Sequence, residues 1–203
     1  MSDSGIKAFV ITMIVAGVCA TTLGTTHHLV KNRIKRNQFI AESRALLSVL
    51  GFKNLSADEL EGILKTSVRK TQRKTGVFWE TGTGKGSIYA VPMKGRGLWG
   101  PVEGFLSLNH DLTVIKDFMI TKQEETPGLG AEIESEAFYR RIRGRKVRTS
   151  ASSNEVIFKI ARGKAANNNE IDGITGATES CRGTQEMVIS AIKRALEMKN
   201  VQN

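Results

Sequence analysis

From residue 8 to residue 29 the chain reads "AFVITMIVAGVCATTLGTTHHL", with no Asp, Glu, Lys or Arg. About 20 such residues cross a bilayer core of about 30 Å as a helix, so residues 1–30 are expected to hold a single membrane anchor. The run is long for a cleaved signal peptide and no A-x-A site follows it. Bulky Val18 before Cys19 spoils a lipoprotein box. Residues 31–75 read as a helical extension and joint. Within them "SADE" at 56–59 has the form of a capping box, and Leu60, Ile63, Leu64 and Val68 follow at helical spacing up to Gly76. The pattern then changes. Segments 87–93, 102–108 and 113–120 read as strands, the last two joined by the turn residues Asn109, His110 and Asp111. A helix with a basic face is expected over 132–143, a short strand over 155–161 and a closing helix over 178–199. In that last helix Val188, Ala191, Ile192, Ala195 and Leu196 make one apolar stripe. Strands arranged in hairpins speak against a doubly wound parallel sheet. The expected class is α+β: a single N-terminal transmembrane helix, then a domain over 76–203 with an antiparallel sheet flanked by helices.

Composition adds little to this. A chain 40% hydrophobic and 25% charged is an ordinary folded protein. A net charge of +10 admits nucleic acid, an anionic membrane or an acidic ligand as partner. Only 6% of the residues are aromatic and no nucleic-acid motif is present, so no nucleic-acid partner is expected. Cys19 and Cys181 do not make a disulfide framework, and three histidines without HExxH spacing give no metal site. His110 falls in a hairpin turn, which is no place for the buried base of a triad, and no catalytic residue is assigned. The basic stretch "RRIRGRK" at 140–146, with Arg148 beyond it, reads as a solvated face or as a surface for a partner subunit.

Three glycine-rich stretches imitate phosphate loops. "TGTGKGS" (81–87) has Trp79 where a P-loop needs its first glycine and Gly86 where it needs Ser or Thr. "GRGLWG" (95–100) satisfies G-x-G-x-x-G but leads into a proline and a strand-like alternation, whereas a dinucleotide fingerprint opens a helix. "ETPGLG" (125–130) is a proline-glycine turn headed by a carboxylate. The fourth stretch is "DGITGATES" (172–180), two tight turns that place Thr178 at or beside the N-cap of the last helix. Spacing alone leaves two readings open there, a plain cap or a seat for an anion at the positive end of the helix dipole.

The motifs together carry a resemblance. "DGITGAT" fits D-x-x-[ST]-[GA]-A-T, the signature of FMN-binding domains whose last threonine carries FMN through a phosphoester. "GRGLWGPVEGFLSL" and "KQEETPGLGAEI" resemble, nearly continuously, the C subunit of the Na+-translocating NADH:quinone reductase, as does the single N-terminal membrane helix. The G subunit of the Rnf electron-transport complex shares the threonine motif and the ETPGLG-like turn but generally lacks the GLWGP form. The resemblance implies that Thr178 is the attachment point of covalent FMN. It implies that Asp172, Thr175, Gly176 and Ala177 form the motif read by a separate flavin transferase. It also implies that Leu98, Trp99, Glu125, Thr126, Gly128 and Leu129 meet the flavin. The sequence departs from the family at Glu179, a carboxylate where an apolar residue is usual, and in a soluble domain shorter than most.

Covalency has a physical reason. A helix N-terminus stabilises an anion by about 0.3–1 kcal/mol when exposed and up to about 2 in good geometry. Holding a cofactor at nanomolar affinity takes about 12 kcal/mol. A phosphoester removes that requirement, and the electron chemistry then belongs to the cofactor. The resemblance further implies other membrane subunits as partners, NADH and quinone acting at those subunits, and sodium ion moved by the whole complex. It places the FMN domain on the extracytoplasmic side of the inner membrane. Lys31, Arg33, Lys35 and Arg36 after the helix, against Lys7 before it, argue the opposite by the positive-inside rule. The alternatives are a component like the G subunit of Rnf and an anchored, non-redox binding module whose threonine only caps a helix.

Overall fold

The computed structural model describes residues 3–73, 76–150, 152, 155–167 and 170–200. The chain divides into two compact units, Met1–Ile40 and Ala41–Asn203. The first is helical throughout its described residues and belongs to α1 (Asp3–Val49), 47 residues long. Its apolar side chains have no protein cover: Phe9, Ile11, Ile14 and Val18 are all at least 60% exposed. The hydroxyls of Thr12, Thr21 and Thr22 donate to carbonyls four residues back at 3.0, 2.7 and 2.8 Å, so the polar groups of the apolar run are satisfied within the helix. This one helix is long and apolar enough to cross a membrane.

The second unit begins with the last turns of α1, where Ala45, Leu46, Leu47, Val49 and Leu50 are buried. Gly51, at φ 98°, ends the helix in the left-handed conformation that glycine adopts most readily. α2 (Ala57–Thr66) starts as its capping-box spacing predicts, the Glu59 carboxylate accepting from the N–H and hydroxyl of Ser56 at 2.8 and 2.6 Å. The helical pattern does not run on to Gly76. It stops at Thr66, and β1 (Arg69–Arg73) turns back as the edge strand beside β2 (Gly76–Thr81). The physical reason is exposure: "RKTQR" is solvated along nearly its whole length, as suits a sheet edge, and offers no apolar periodicity.

Three further strands, β3 (Ile88–Arg96), β4 (Pro101–Asn109) and β5 (Ile115–Lys122), complete a five-stranded antiparallel meander in sequence order. β5 starts two residues later than the alternation suggests, because Asn109 Oδ1 accepts the N–H groups of Thr113 and Val114 at 2.8 and 2.9 Å and holds them in the turn. The expected helix over 132–143 breaks at Ser135, separating a 3-10 turn over Gly130–Glu134 from α3 (Glu136–Ile142). The Ser135 hydroxyl accepts from the Phe138 amide at 3.2 Å, so the serine that interrupts one helix caps the next. The strand expected over 155–161 reduces to β6 (Lys159–Ile160), paired in parallel with β7 (Glu170–Ile171); residues 153 and 154 lie outside the described set.

The closing helix, α4 (Thr178–Asn200), buries the stripe that its spacing predicts, with Val188, Ala191 and Ile192 fully inside. It packs on β3 and shares one core with Val91, Met93, Leu106 and Phe118. Phe118 is edge-on to both Phe138 and Tyr139 of α3, ring centres 6.4 and 5.5 Å apart. Contact between α4 and the end of β3 is backbone-close. A Cβ on Gly183 would run into the Arg96 carbonyl, and one on Gly95 would lie 2.8 Å from the Cβ of Met187. The α+β class, with an antiparallel sheet and flanking helices behind a long apolar helix, is as the sequence predicts.

Candidate functional site

β3 and β4 are paired up to Arg96 and Pro101, which leaves Gly97–Gly100 as a four-residue loop closed by the Gly97 N–H on the Gly100 carbonyl at 2.9 Å. "GRGLWG" is therefore a hairpin end, and no helix follows it. Leu98 and Trp99 stand outward at its tip, 54% and 66% exposed. The second turn, "ETPGLG", is closed by the N–H groups of Leu129 and Ala131 on the Thr126 carbonyl, both at 3.1 Å, with Gly128 at φ 74°. Leu129 is 44% exposed. Leu98, Trp99 and Leu129 are the large apolar side chains that the described residues of the second unit leave exposed.

Glu125 points the other way. It is 5% exposed, with Oε1 accepting from the Trp99 amide at 3.0 Å and Oε2 accepting from the Ser180 hydroxyl. Burial pushes its pKa up, but the Ser180 hydroxyl and the amides of Trp99, Leu98 and Gly100 outweigh that, and the carboxyl stays below its ordinary range. The resemblance groups Glu125 with flavin-facing residues; the structure ties its carboxylate to the two neighbouring segments. Ser180 has no sequence signal beyond its place two residues after Thr178.

The third segment is "DGITGAT". The Asp172 carboxylate accepts the Ala165 N–H at 2.7 Å, so it shapes its own turn. Ala177 is buried, its N–H donating to the Ile174 carbonyl at 3.1 Å. Gly176 is at φ 77°, and a Cβ built there would lie 3.0 Å from Leu129 Cδ2, which brings the motif against the ETPGLG turn. Thr175 and Thr178 are exposed. Thr178 opens α4, at the end where free amides and the positive dipole collect. It also lines a cleft of about 380 Å3 with Lys159, Arg162, Glu179, Arg182 and Gln185 on its walls.

Other side chains around the site give no sign of their role in the sequence. Arg141 belongs to the stretch read as a solvated face, yet its Nη1 donates to the carbonyls of Asp172 and Gly173, both at 3.1 Å. Arg143 and Arg148 are likewise engaged, with the Asp117 carboxylate at 2.6 Å and the Asp111 carbonyl at 3.1 Å. Arg182 pairs with Glu179 at 2.5 Å, and its hydrogen bond is the main reason that the Glu179 carboxyl sits below its ordinary range. Cys181 is a core residue. Its Sγ accepts the Ile174 N–H at 3.4 Å, and burial pushes its thiol pKa up. Among the described residues no group of His, Cys, Asp and Glu is placed to hold a metal ion.

Residues 97–193 match the model of the FMN-binding domain family. The particular likeness that the motifs carry is shown as well. The chain is 34% identical over 117 residues to the C subunit of the Na(+)-translocating NADH-quinone reductase of Chlamydia muridarum, a match covering 50% of this chain and 37% of that one. It is 28% identical over 127 residues to the protein of the same name from Pseudomonas aeruginosa, covering 60% and 48%. The matched stretch thus spans less than half the length of either relative. Among solved structures, the corresponding protein from Parabacteroides distasonis superposes with a TM-score of 0.70 at 22% identity, covering 86% of this chain and 98% of that one. Shewanella oneidensis NqrC gives 0.66 at 16%, covering 83% and 99%, and both likenesses speak to the fold.

Proposed function

We propose that the chain is a membrane-anchored electron-transfer subunit of a Na+-translocating NADH:quinone reductase, carrying one FMN in phosphoester linkage to Thr178. The observation that carries the reading is the convergence of three separate motif segments, "GLWG", "ETPGLG" and "DGITGAT", around one exposed threonine at the amide end of a long helix. The donor set suits the group. The first turn of α4 favours phosphate charge, and exposed Leu98, Trp99 and Leu129 offer an apolar surface to a flat ring. When bound, FMN supplies reversible electron uptake and release. The protein's part is to hold it in place, with Gly128 and Thr126 setting the turn that presents Leu129.

In this reading residues 1–30 are the anchor, 31–75 the joint that lends β1 to the sheet, and 76–203 the FMN-binding domain. Asp172, Thr175, Gly176 and Ala177 are read by a flavin transferase. The partners are the other membrane subunits of the complex, where NADH and quinone react and sodium is moved. The FMN domain lies on the outer face of the inner membrane.

The test is co-expression with a flavin transferase, then denaturing electrophoresis under ultraviolet light and intact mass. One FMN adduct is expected on the native chain and none on Thr178→Val. A native chain without flavin after denaturation ends the proposal.

A further inference from the structure

We propose that Glu125 is a positioning residue of the flavin site: its carboxylate locks the Leu98–Trp99 turn to the first turn of α4 and so holds the Trp99 ring against the group carried by Thr178. The inference rests on the FMN reading above and adds a residue whose work is done through its neighbours.

An ionised carboxylate accepts at both oxygens and donates at neither. Here each oxygen serves a different segment, Oε1 the Trp99 amide in the β3–β4 loop and Oε2 the Ser180 hydroxyl in α4. The residue's own backbone is fixed by its N–H on Gln123 Oε1 at 2.6 Å. Space around it is made by glycine. A Cβ on Gly97 would collide with the Glu125 carboxylate, and one on Gly130 would collide with both that carboxylate and the Ser180 hydroxyl. The carboxylate thus fills the space that the absent Cβ atoms of Gly97 and Gly130 leave. Above it the Trp99 backbone is held while its side chain is left 66% exposed. A fixed backbone under an exposed ring confines where the ring can reach and leaves its face open to a ligand, which lowers the ordering cost of stacking.

Glutamine at this position can keep both ties, its Oε1 accepting the Trp99 amide and its NH2 donating to the Ser180 hydroxyl, which turns to accept. Leucine roughly keeps the size and accepts from neither, leaving both donors unpaired in a buried place. Serine-to-alanine at 180 is milder, since it unties α4 and leaves the Trp99 amide bound.

Indole in contact with a flavin quenches its emission, which gives a readout separate from folding. The chain is loaded by a co-expressed flavin transferase, adducts are counted by intact mass, and emission is measured per adduct in the native protein, Trp99→Phe, Glu125→Leu and Ser180→Ala. Emission is expected to rise severalfold in Trp99→Phe, by a similar factor in Glu125→Leu and by less in Ser180→Ala, with far-ultraviolet circular dichroism unchanged. Should Glu125→Leu fail to fold, Ser180→Ala carries the test alone. Unchanged emission in Trp99→Phe, or in whichever of the two hub variants folds, overturns the proposal. Absence of any adduct on the native chain, visible in the mass, overturns the FMN reading and this inference with it.

Discussion

The guanidinium of Arg141 donates to the backbone carbonyl of Asp172 at 3.1 Å, across 31 residues of sequence. The same nitrogen reaches the Gly173 carbonyl, whose residue is pressed so close to Ala161 that a Cβ would strike the Ala161 carbonyl. The loop that carries Thr178 is thus held from one side by a charge and from the other by backbone. Charged hydrogen bonds of this kind contribute about 1.5–3 kcal/mol each when buried, and this pair is partly exposed. Arg141→Gln is expected to lower stability by about 1–2 kcal/mol. It should also slow FMN attachment severalfold, because the transferase meets a looser motif. Denaturant melts and a time course of fluorescent adduct check both; an unaltered attachment rate would separate the clamp from the motif's presentation.

Gly183 tests the seat of α4 without reference to any cofactor. Its Cα faces the Arg96 carbonyl and the Gly97 Cα, and all the obstructing atoms are backbone. Alanine there must push the helix off the end of β3, and overpacking of this sort costs about 1–3 kcal/mol. The urea midpoint of Gly183→Ala should fall accordingly, whereas alanine at Gly62, where a Cβ meets nothing within 4 Å, should leave it level or raised.

Acid sensitivity follows from Glu125. Its folded pKa lies below the ordinary 4.5, with burial opposing ionisation and the Ser180 hydroxyl and three amides winning. A group with a depressed folded pKa binds its proton more readily when unfolded. Its contribution to stability is therefore present above pH 4.5 and is lost as pH falls through the folded value. Melting temperature should drop through the acid range in the native protein and drop less steeply in Glu125→Gln, which lacks the titrating group. Parallel curves would show that the carboxylate is not the group responsible.

These relationships mark the limit of what the sequence discloses. β3, β4, β5 and the apolar stripe of α4 are legible because burial on one face imposes a period of 2 or 3.6 on neighbouring residues. β1 is not, because an exposed edge strand carries no such period, and β6 and β7 are too short to show one. The site divides the same way. Thr178 and its motif are local in sequence and can be read there. Arg141 and Ser180 act on partners 31 and 55 residues away, a relationship that no spacing rule contains. Glu125 is buried at the head of a turn whose sequence does not say which of its side chains goes in, while Thr126 and Leu129 of the same turn are exposed.

Topology sets two physical signals against each other. Four cations follow the apolar run within residues 31–36 and one precedes it, which by charge bias keeps the large unit in the cytoplasm. The proposed function puts the flavin site and the transferase that would load it on the outer face, which requires the reverse, and partner subunits can override the bias. An alkaline phosphatase fused after Leu60 should therefore be active. Activity confined to a cytoplasmic reporter fused at the same place would put the FMN domain inside.

Glu179 and Arg182 supply the last prediction. In the proposed function a carboxylate one residue from Thr178 would repel the incoming phosphate, and the resemblance read from the sequence expects an apolar residue at this position. The pair at 2.5 Å answers the difficulty, since Arg182 sits one turn along α4 and also meets Glu186 at 3.1 Å. Its hydrogen bond and charge hold Glu179 ionised but neutralised at the mouth of the cleft that Thr178 lines. Arg182→Ala leaves the carboxylate uncompensated and should slow FMN attachment severalfold, more so at low salt, where screening is weakest. Glu179→Gln alone should speed it or leave it unchanged. The double variant should match Glu179→Gln, because the arginine's benefit exists only while the carboxylate does. Attachment rates for the four proteins at two salt concentrations close the cycle. Additive effects would show that Arg182 acts on the phosphate directly rather than through Glu179.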